Sequence, residues 1–297
     1  MTMARTDGDT WDIVTSVGYT ALAVAAARAL DAKLDPPLAH DEYAEKFVAA
    51  AGEPQLAQAV AAGDISGLAG ANASWVGVRT RFFDNFFADA AGAGVRQVVI
   101  LAAGLDARAY RLPWPTGTTV FEVDQPRVLE FKDQVLAGAE AGPAAGRVPV
   151  AVDLRDDWPN ALVGAGFDPE QATAWALEGL LPYLPGVAQD ALFEKLHELS
   201  APGSRIAAEL GPLPGEIAQF ERDMPSHADS PGQPKVSELW YDDPRRDTTS
   251  WLAERGWTVA GIDLVEAAVG YGRPFGEIPR SFETLLRTKF FTATRTS

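Results

Sequence analysis

The feature that most constrains the fold is the stretch at residues 97–112, which reads QVVILAAGLDARAYRL. Residues 98–101 are a short apolar run, long enough for a buried strand and too short for a helix of its own. The small residues Ala102, Ala103 and Gly104 follow, and Asp106 stands where a helix N-cap could form. This order predicts a strand, a tight turn and a helix, which is the opening unit of a nucleotide-binding α/β sheet.

A second strand is predicted at residues 118–123, and its carboxyl end is followed by Asp124. Asp124 lies 22 positions after Ala102. A carboxylate at this distance from a small-residue turn is placed to accept hydrogen bonds from ribose hydroxyls. A purely structural turn is the alternative, because a fold by itself does not determine function.

The rest of the chain alternates between strands and helices, which predicts an α/β fold with a mostly parallel, doubly wound sheet. The further strands are predicted at residues 147–154, 172–177, 205–210, 257–264 and 288–294. Asp153 and Leu154 end the third strand, and Glu178 follows the fourth. Since ligands of such sheets bind at the carboxyl edge, acidic residues at three strand ends suggest a ligand with several hydrogen-bond donors, such as an adenosine. Solubility and helix capping are the alternative roles for these carboxylates.

A helix is predicted at residues 74–91, where Trp and Phe residues recur at helical spacing. Arg79 and Arg81 stand just before the aromatic run. They are either two solvated arginines on an exposed face or a clamp in which one of them binds a carboxylate through its planar guanidinium.

Composition narrows the function classes. The chain has 297 residues and a formal net charge of −16, so nucleic acid is an unfavourable partner for its average surface. The chain contains no cysteine, which excludes disulfides and thiolate chemistry, and its three histidines are scattered, so we expect no metal site. Asp7, Asp9 and Asp12 oppose the charge of a signal peptide, and no apolar run is long enough to span a bilayer. We expect a soluble, cytoplasmic protein.

Two segments lie outside the alternating core of residues 74–210 and 246–297. The N-terminal segment 1–73 is Ala-rich and helical in pattern, and the segment 211–245 is a long insertion after the fifth strand. Both carry aromatic residues, and an apolar surface of this kind usually has a binding role. We expect one domain in which these segments form a lid over the carboxyl edge of the sheet, although an ordinary surface excursion would also explain the insertion.

Five motifs, taken in order, resemble the S-adenosylmethionine-dependent methyltransferases related to leucine carboxyl methyltransferase, in particular their mycobacterial and actinobacterial group. The motifs are RTRFFDNFF (79–87), VVILAAGLDARAYRL (98–112), FEVDQP (121–126), VAVDL (150–154) and LEGLLPYL (177–184). The likeness covers most of the chain. It implies a Rossmann-like class I methyltransferase core with a helical lid, S-adenosylmethionine as cofactor and a small-molecule methyl acceptor.

The resemblance also implies roles for single residues. Arg81, with Arg79 as the alternative, would hold the methionine carboxylate, and the turn of Ala102, Ala103 and Gly104 would run under the cofactor. Asp124 would bind the ribose hydroxyls. Asp153 and Leu154 would frame the adenine, and Glu178 would lie near the methionine amino group. The family usually has Gly-Ala-Gly at the turn, so we expect the methyl group of Ala102 to affect cofactor affinity more than cofactor identity.

We expect O-methylation without a metal, on a small or medium-sized, largely apolar carboxylate or phenol. In methyl transfer the cofactor supplies the reactive group, and the protein mainly aligns the acceptor with it. A carboxylate acceptor needs no general base. Tyr183, Glu178 and Tyr271 are the candidate bases, and none has a base signature, so no catalytic residue is named. The competing classes are a nicotinamide-dependent oxidoreductase, which should carry the absent G-x-G-x-x-G motif, and a non-catalytic cofactor-binding protein.

Overall fold

The structure is a computed structural model that describes residues 16–139, 142–211, 216, 239–241, 243–278 and 282–296. Seven strands form one sheet in the order β3-β2-β1-β4-β5-β7-β6. The strands are β1 (Gln97–Leu101), β2 (Thr119–Asp124), β3 (Gly146–Ala151), β4 (Thr173–Leu177), β5 (Arg205–Leu210), β6 (Trp257–Asp263) and β7 (Lys289–Arg295). All neighbours pair in parallel except β7, which is antiparallel to β5 and β6. The predicted mostly parallel α/β fold is confirmed.

The strand order reverses between β1 and β4, which makes this point the switch point of the sheet. Every residue of β1 is buried, because both faces of the sheet are covered. Val99 and Leu101 belong to one hydrophobic core and Val98 and Ile100 to the other, as the two-residue period of a strand requires.

Ten α-helices can be assigned within the described residues. They are α1 (Ser16–Asp31), α2 (Ala44–Ala51), α3 (Pro54–Ala62), α4 (Gly67–Gly92), α5 (Arg108–Arg111), α6 (Pro126–Gly138), α7 (Trp158–Gly164), α8 (Gly186–Glu198), α9 (Thr248–Ala253) and α10 (Leu264–Gly270). Helices α7, α8 and α9 cover one face of the sheet, with Trp158, Phe193 and Trp251 in its core. Helices α4 and α10 cover the other, with Phe83, Phe87 and Leu264.

The N-terminal helices build a third core, which packs against α6 and the loop after β1. The Gly/Ala-rich residues 52–72 form α3 and the start of α4. Glu53 begins α3 by accepting a hydrogen bond from Leu56 N at 2.6 Å. Gly63, at φ +63°, ends it in the left-handed conformation that glycine adopts without strain.

Two buried ion pairs hold α1 against the rest of the molecule. Arg28 pairs with Asp41 at 2.8 Å and donates a hydrogen bond to Leu105 O at 2.8 Å, in the loop after β1. Asp31 is fully buried, accepts from Ala39 N at 2.6 Å and pairs with Arg273. Helix α1 is therefore fixed directly over the carboxyl edge of the sheet.

Candidate functional site

A cavity of about 640 Å³ lies at the carboxyl ends of β1, β2 and β4. Its floor is the sheet edge, and α1, α3 and α4 form its walls. Eight of the predicted site residues line this cavity: Ala102, Ala103, Gly104, Asp124, Asp153, Leu154, Glu178 and Arg79. Arg81 is the one predicted site residue that does not line it. The strand-end reasoning thus brought together residues that are up to 76 positions apart in sequence, from Ala102 to Glu178.

The turn after β1 lies in an uncommon backbone conformation. Ala102 has φ +52° and Gly104 has φ +49°, both in the left-handed region. Glycine adopts this region freely, whereas the Cβ of Ala102 makes it costly. A Cβ added to Gly104 would come to 3.4 Å from the Cβ of Ala21, so α1 packs closely over this turn.

Asp124 is fixed at the end of β2 by two backbone donors. Gly104 N donates to its Oδ2 at 2.6 Å, and Gln125 N donates to its Oδ1 at 2.7 Å. Burial outweighs these hydrogen bonds and raises the pKa of Asp124 to about 6. The carboxylate therefore joins the turn to the end of the second strand, and Asp124 also lines the cavity.

Asp153 follows the edge strand β3 and lines the cavity. It accepts from Gln125 Nε2 at 2.6 Å and from Arg155, whose Nη2 donates at 2.7 Å. Burial alone would raise its pKa, but the bonds to Arg155 and Gln125 keep the pKa below the usual aspartate value. The Arg155 side chain is 33% exposed, whereas Gln125 is buried.

Arg79 projects from α4 into the cavity between two carboxylates. Its Nε lies 3.0 Å from Glu178 Oε1 and its Nη1 lies 3.3 Å from Glu209 Oε2. The guanidinium also lies over the ring of Trp75, with its central carbon 4.8 Å from the ring centroid. Arg79 is therefore a buried cation at the predicted ligand site, paired with two carboxylates of the protein.

Arg81 is two residues further along α4, which turns it about 200° away around the helix axis. Its charge acts on Tyr271, whose pKa is raised by burial while Arg81 and Asn85 oppose that rise. Neither Arg81 nor Tyr271 lines the cavity. Of the two arginines, only Arg79 faces the cavity, because one helix face can present only one of them to it.

Arg108 and Glu209 were missed by the sequence reasoning. Arg108 Nη1 lies 2.8 Å from Glu178 Oε2, and the same side chain pairs with Asp106 and with Asp84, the latter at 2.7 Å. Glu209 is the next-to-last residue of β5 and accepts a hydrogen bond from Gly179 N at 2.9 Å. The strand-end rule would have found Glu209, because β5 borders β4 in the sheet. No such rule identifies Arg108 from the sequence, because Arg108 lies at the start of α5 and not at the end of a strand.

The remaining lining is mostly apolar, and both predicted lid segments contribute to it. From the N-terminal segment it includes Tyr19, Val24, Leu56 and Leu68, and from the insertion it includes Gly211 and Trp240. Trp240 packs edge-on against Tyr183, with ring centroids 6.0 Å apart. Most of the predicted insertion 211–245, including Phe220, lies outside the described residues. Among the helices that the structure describes, none is long and apolar enough to cross a membrane.

The model of the leucine carboxyl methyltransferase family matches residues 21–197, which is more than half of the chain. A protein of Mycobacteroides abscessus named "Putative S-adenosyl-L-methionine-dependent methyltransferase" is 69% identical over 98% of both chains. A relative of the same description from Rhodococcus jostii is 53% identical and covers 98% of this chain and 100% of its own. One from Mycobacterium leprae is 48% identical over 98% of this chain and 97% of its own.

Among solved structures, a DUF574 family protein from Streptomyces avermitilis aligns with a TM-score of 0.50 at 14% identity. The alignment covers 91% of this chain and 97% of that one, and at this identity it shows a shared fold only. The family model and the relatives carry the assignment, and they confirm the one made from the five motifs. The chain belongs to the leucine carboxyl methyltransferase family of S-adenosylmethionine-dependent methyltransferases.

Proposed function

We propose that the chain transfers a methyl group from S-adenosylmethionine to an oxygen of a small or medium-sized, largely apolar acceptor that carries a carboxylate or a phenol. The observation that carries the proposal is a single cavity that joins polar groups at the strand ends to an apolar compartment beneath α1. Its volume of about 640 Å³ is in the range of small-molecule sites.

The residues of the cavity fit the cofactor in their chemistry and in their order. Arg79 and Glu178 supply a cation and an anion for a zwitterionic methionine end, and we assign its carboxylate to Arg79. Asp124, which is without a cationic partner among the described residues, suits the two hydroxyls of a ribose. The turn with Ala102 and Gly104 at positive φ exposes backbone at the point where a ligand must approach closely.

The adenine end is assigned to Asp153 and Leu154. Asp153 already accepts hydrogen bonds from Gln125 and Arg155 on both of its oxygens. Acceptance of the adenine amino group therefore requires one of these donors to yield, and Arg155 is the more exposed. Arg155 therefore lines the part of the cavity that we assign to the adenine.

When bound, the cofactor supplies a methyl group on a sulfonium, which an oxygen nucleophile displaces in line. The protein contributes alignment and the exclusion of water. We assign the N-terminal segment 1–73 and the insertion 211–245 to a lid that closes the acceptor compartment, because α1, α3 and Trp240 already line it. Glu178 is a poor candidate for a base, since two guanidinium groups hold its oxygens. Of the other two candidate bases, Tyr183 lines the cavity and Tyr271 does not.

The test is a methyl-transfer screen with radiolabelled S-adenosylmethionine against fatty acids, aromatic acids and polyketide-like phenols, with and without a metal chelator. We expect labelling of at least one small molecule, and a thermal shift with S-adenosylhomocysteine but not with NAD. Labelling of only proteins or nucleic acids would contradict the acceptor class. Cofactor binding without turnover on any of these acceptors would contradict the enzyme assignment.

A further inference from the structure

The ion pairs around Arg79 form one continuous buried network with an unequal number of charges. Its cations are Arg79, Arg108 and Arg111, and its anions are Asp84, Asp106, Glu178 and Glu209. Each of these side chains is at most 13% exposed. With all groups ionised, the network therefore carries one carboxylate more than it has guanidinium groups.

Neighbouring cations do not neutralise this excess. Lys132 influences Asp106 and Asp124, but its ammonium lies 2.8 Å from a carboxylate oxygen of Glu122. Arg28 and Arg155 also line the cavity, and each is paired with its own aspartate. The excess negative charge thus remains at the cavity within the part of the chain that the structure describes.

Two carboxylates of this network have a single ion-pair partner. Asp106 pairs with Arg108, and the charges of Arg108, Lys132 and Arg111 lower its pKa to about 2. Glu209 pairs with Arg79 and is the less compensated of the two. Its one cationic partner, Arg79, is shared with Glu178, whereas Glu178 also has Arg108. Asp84 is held by both Arg108 and Arg111. Burial raises the pKa of Glu209, in keeping with a carboxylate that lacks a full countercharge.

We propose that Glu209 is a specificity-determining residue that makes the cavity favour the cationic methyl donor over its neutral demethylated product. S-adenosylmethionine carries a net charge of about +1, because its sulfonium adds to a zwitterionic methionine end, whereas S-adenosylhomocysteine has lost that charge. The excess carboxylate stabilises the first ligand more than the second. Transfer of the methyl group removes the positive charge of the sulfonium. The product therefore binds less tightly than the methyl donor, which assists its release.

The inference rests on the cofactor assignment, and its test measures binding rather than turnover. Calorimetry without an acceptor gives the affinities of the wild type for S-adenosylmethionine, S-adenosylhomocysteine and sinefungin, in which a protonated amine replaces the methyl sulfonium. We expect both cationic ligands to bind more tightly than S-adenosylhomocysteine. Glu209→Gln keeps an acceptor for Gly179 N–H and removes the charge. The variant should lower the preference for the two cationic ligands over S-adenosylhomocysteine by about three- to tenfold.

Two further variants separate charge from structure. Glu209→Asp keeps the charge and should retain the preference even if its absolute affinities fall. Glu194→Gln makes the same charge change at a side chain that is 51% exposed and away from the cavity, and it should leave the preference unchanged. Equal affinities of the wild type for charged and neutral ligands would overturn the proposal, as would an equal loss for all ligands in Glu209→Gln. If the wild type binds none of the three ligands, the cofactor assignment itself fails.

Discussion

Gly77 of α4 lies against Asp31 of α1 so closely that a Cβ on Gly77 would come to 2.2 Å from Asp31 Oδ1. The fully buried Asp31 is itself held by Leu38 N, Ala39 N and Arg273. The carboxylate therefore cannot move aside without breaking its other bonds. This contact sets the distance between the helix that covers the cavity and the helix that carries Arg79.

Gly77→Ala should therefore destabilise the protein by about 1–3 kcal/mol, as overpacking at a rigid contact does. Gly92→Ala is the matched control in the same helix, because a Cβ there meets nothing within 4 Å. We expect the control to leave the stability within about 1 kcal/mol of the wild type. Denaturant unfolding measures both, and equal stabilities of the two variants would contradict the contact.

Ala102→Gly should stabilise the fold, because it removes the strain of a Cβ at φ +52°. The relief of about 1–2 kcal/mol is partly offset by the extra freedom of glycine in the unfolded chain. We expect a net gain of about 0.5–1 kcal/mol by denaturant unfolding. Ala103→Gly is the control, since Ala103 is buried and is not among the residues with positive φ. Destabilisation of similar size at both positions would show that the backbone strain does not matter.

Arg79→Lys should weaken binding of S-adenosylhomocysteine by at least tenfold, because a lysine cannot keep the contacts of a planar guanidinium to two carboxylates and a ligand. Arg81→Lys is the matched control on the same helix and should bind nearly as the wild type does. Calorimetric affinities decide between them. A large loss in Arg81→Lys with a silent Arg79→Lys would restore the preference that the sequence alone suggested.

Affinity for S-adenosylhomocysteine should fall as the pH drops through about 6, the pKa of Asp124. The ionised carboxylate accepts two hydrogen bonds from hydroxyl groups, whereas its protonated form accepts fewer.

The contribution of Asp124 to folding stability changes with pH in the opposite direction, so it becomes more favourable as the pH falls. Because burial raises the pKa above its unfolded value, the ionised form costs stability above pH 6, and that cost is relieved as the pH falls towards 4.

Calorimetry between pH 5 and pH 8 tests the binding half of this prediction. Asp124→Asn should bind weakly and lose the pH dependence in this window. A wild-type affinity that stays constant across the window, or a dependence that survives in Asp124→Asn, would remove Asp124 from the ribose site.

Trp240→Ala should lower turnover more than cofactor affinity, because Trp240 lines the apolar compartment assigned to the acceptor. Its neighbour Tyr241 does not line the cavity, so Tyr241→Ala is the control from the same segment. Once an acceptor is known, steady-state kinetics and calorimetry measure the two effects. A loss of cofactor affinity as large as the loss of turnover would argue against a lid role.

The sequence by itself determined the sheet and most of its ligand edge. Short apolar runs identify strands because they bury both faces, and β1 and β5 lie close to their predicted positions. Parallel strands bring their carboxyl ends together, so Asp124, Asp153 and Glu178 could be placed at one edge without knowledge of any long-range contact. Family and cofactor followed from five motifs that keep their order along the chain.

Tertiary structure alone decided which side chains meet. Arg79 and Arg81 have the same local chemistry, and only the packing of α4 against the sheet selects the one that enters the cavity. The sharing of Arg79 between Glu178 and Glu209 joins residues 99 to 130 positions apart, which no local pattern records. The positive φ of Ala102 is imposed in the same way, because the turn must pass beneath α1 while Gly104 N reaches Asp124. Local propensity specifies elements, whereas charge pairing and backbone strain depend on distances that exist only after the elements have packed.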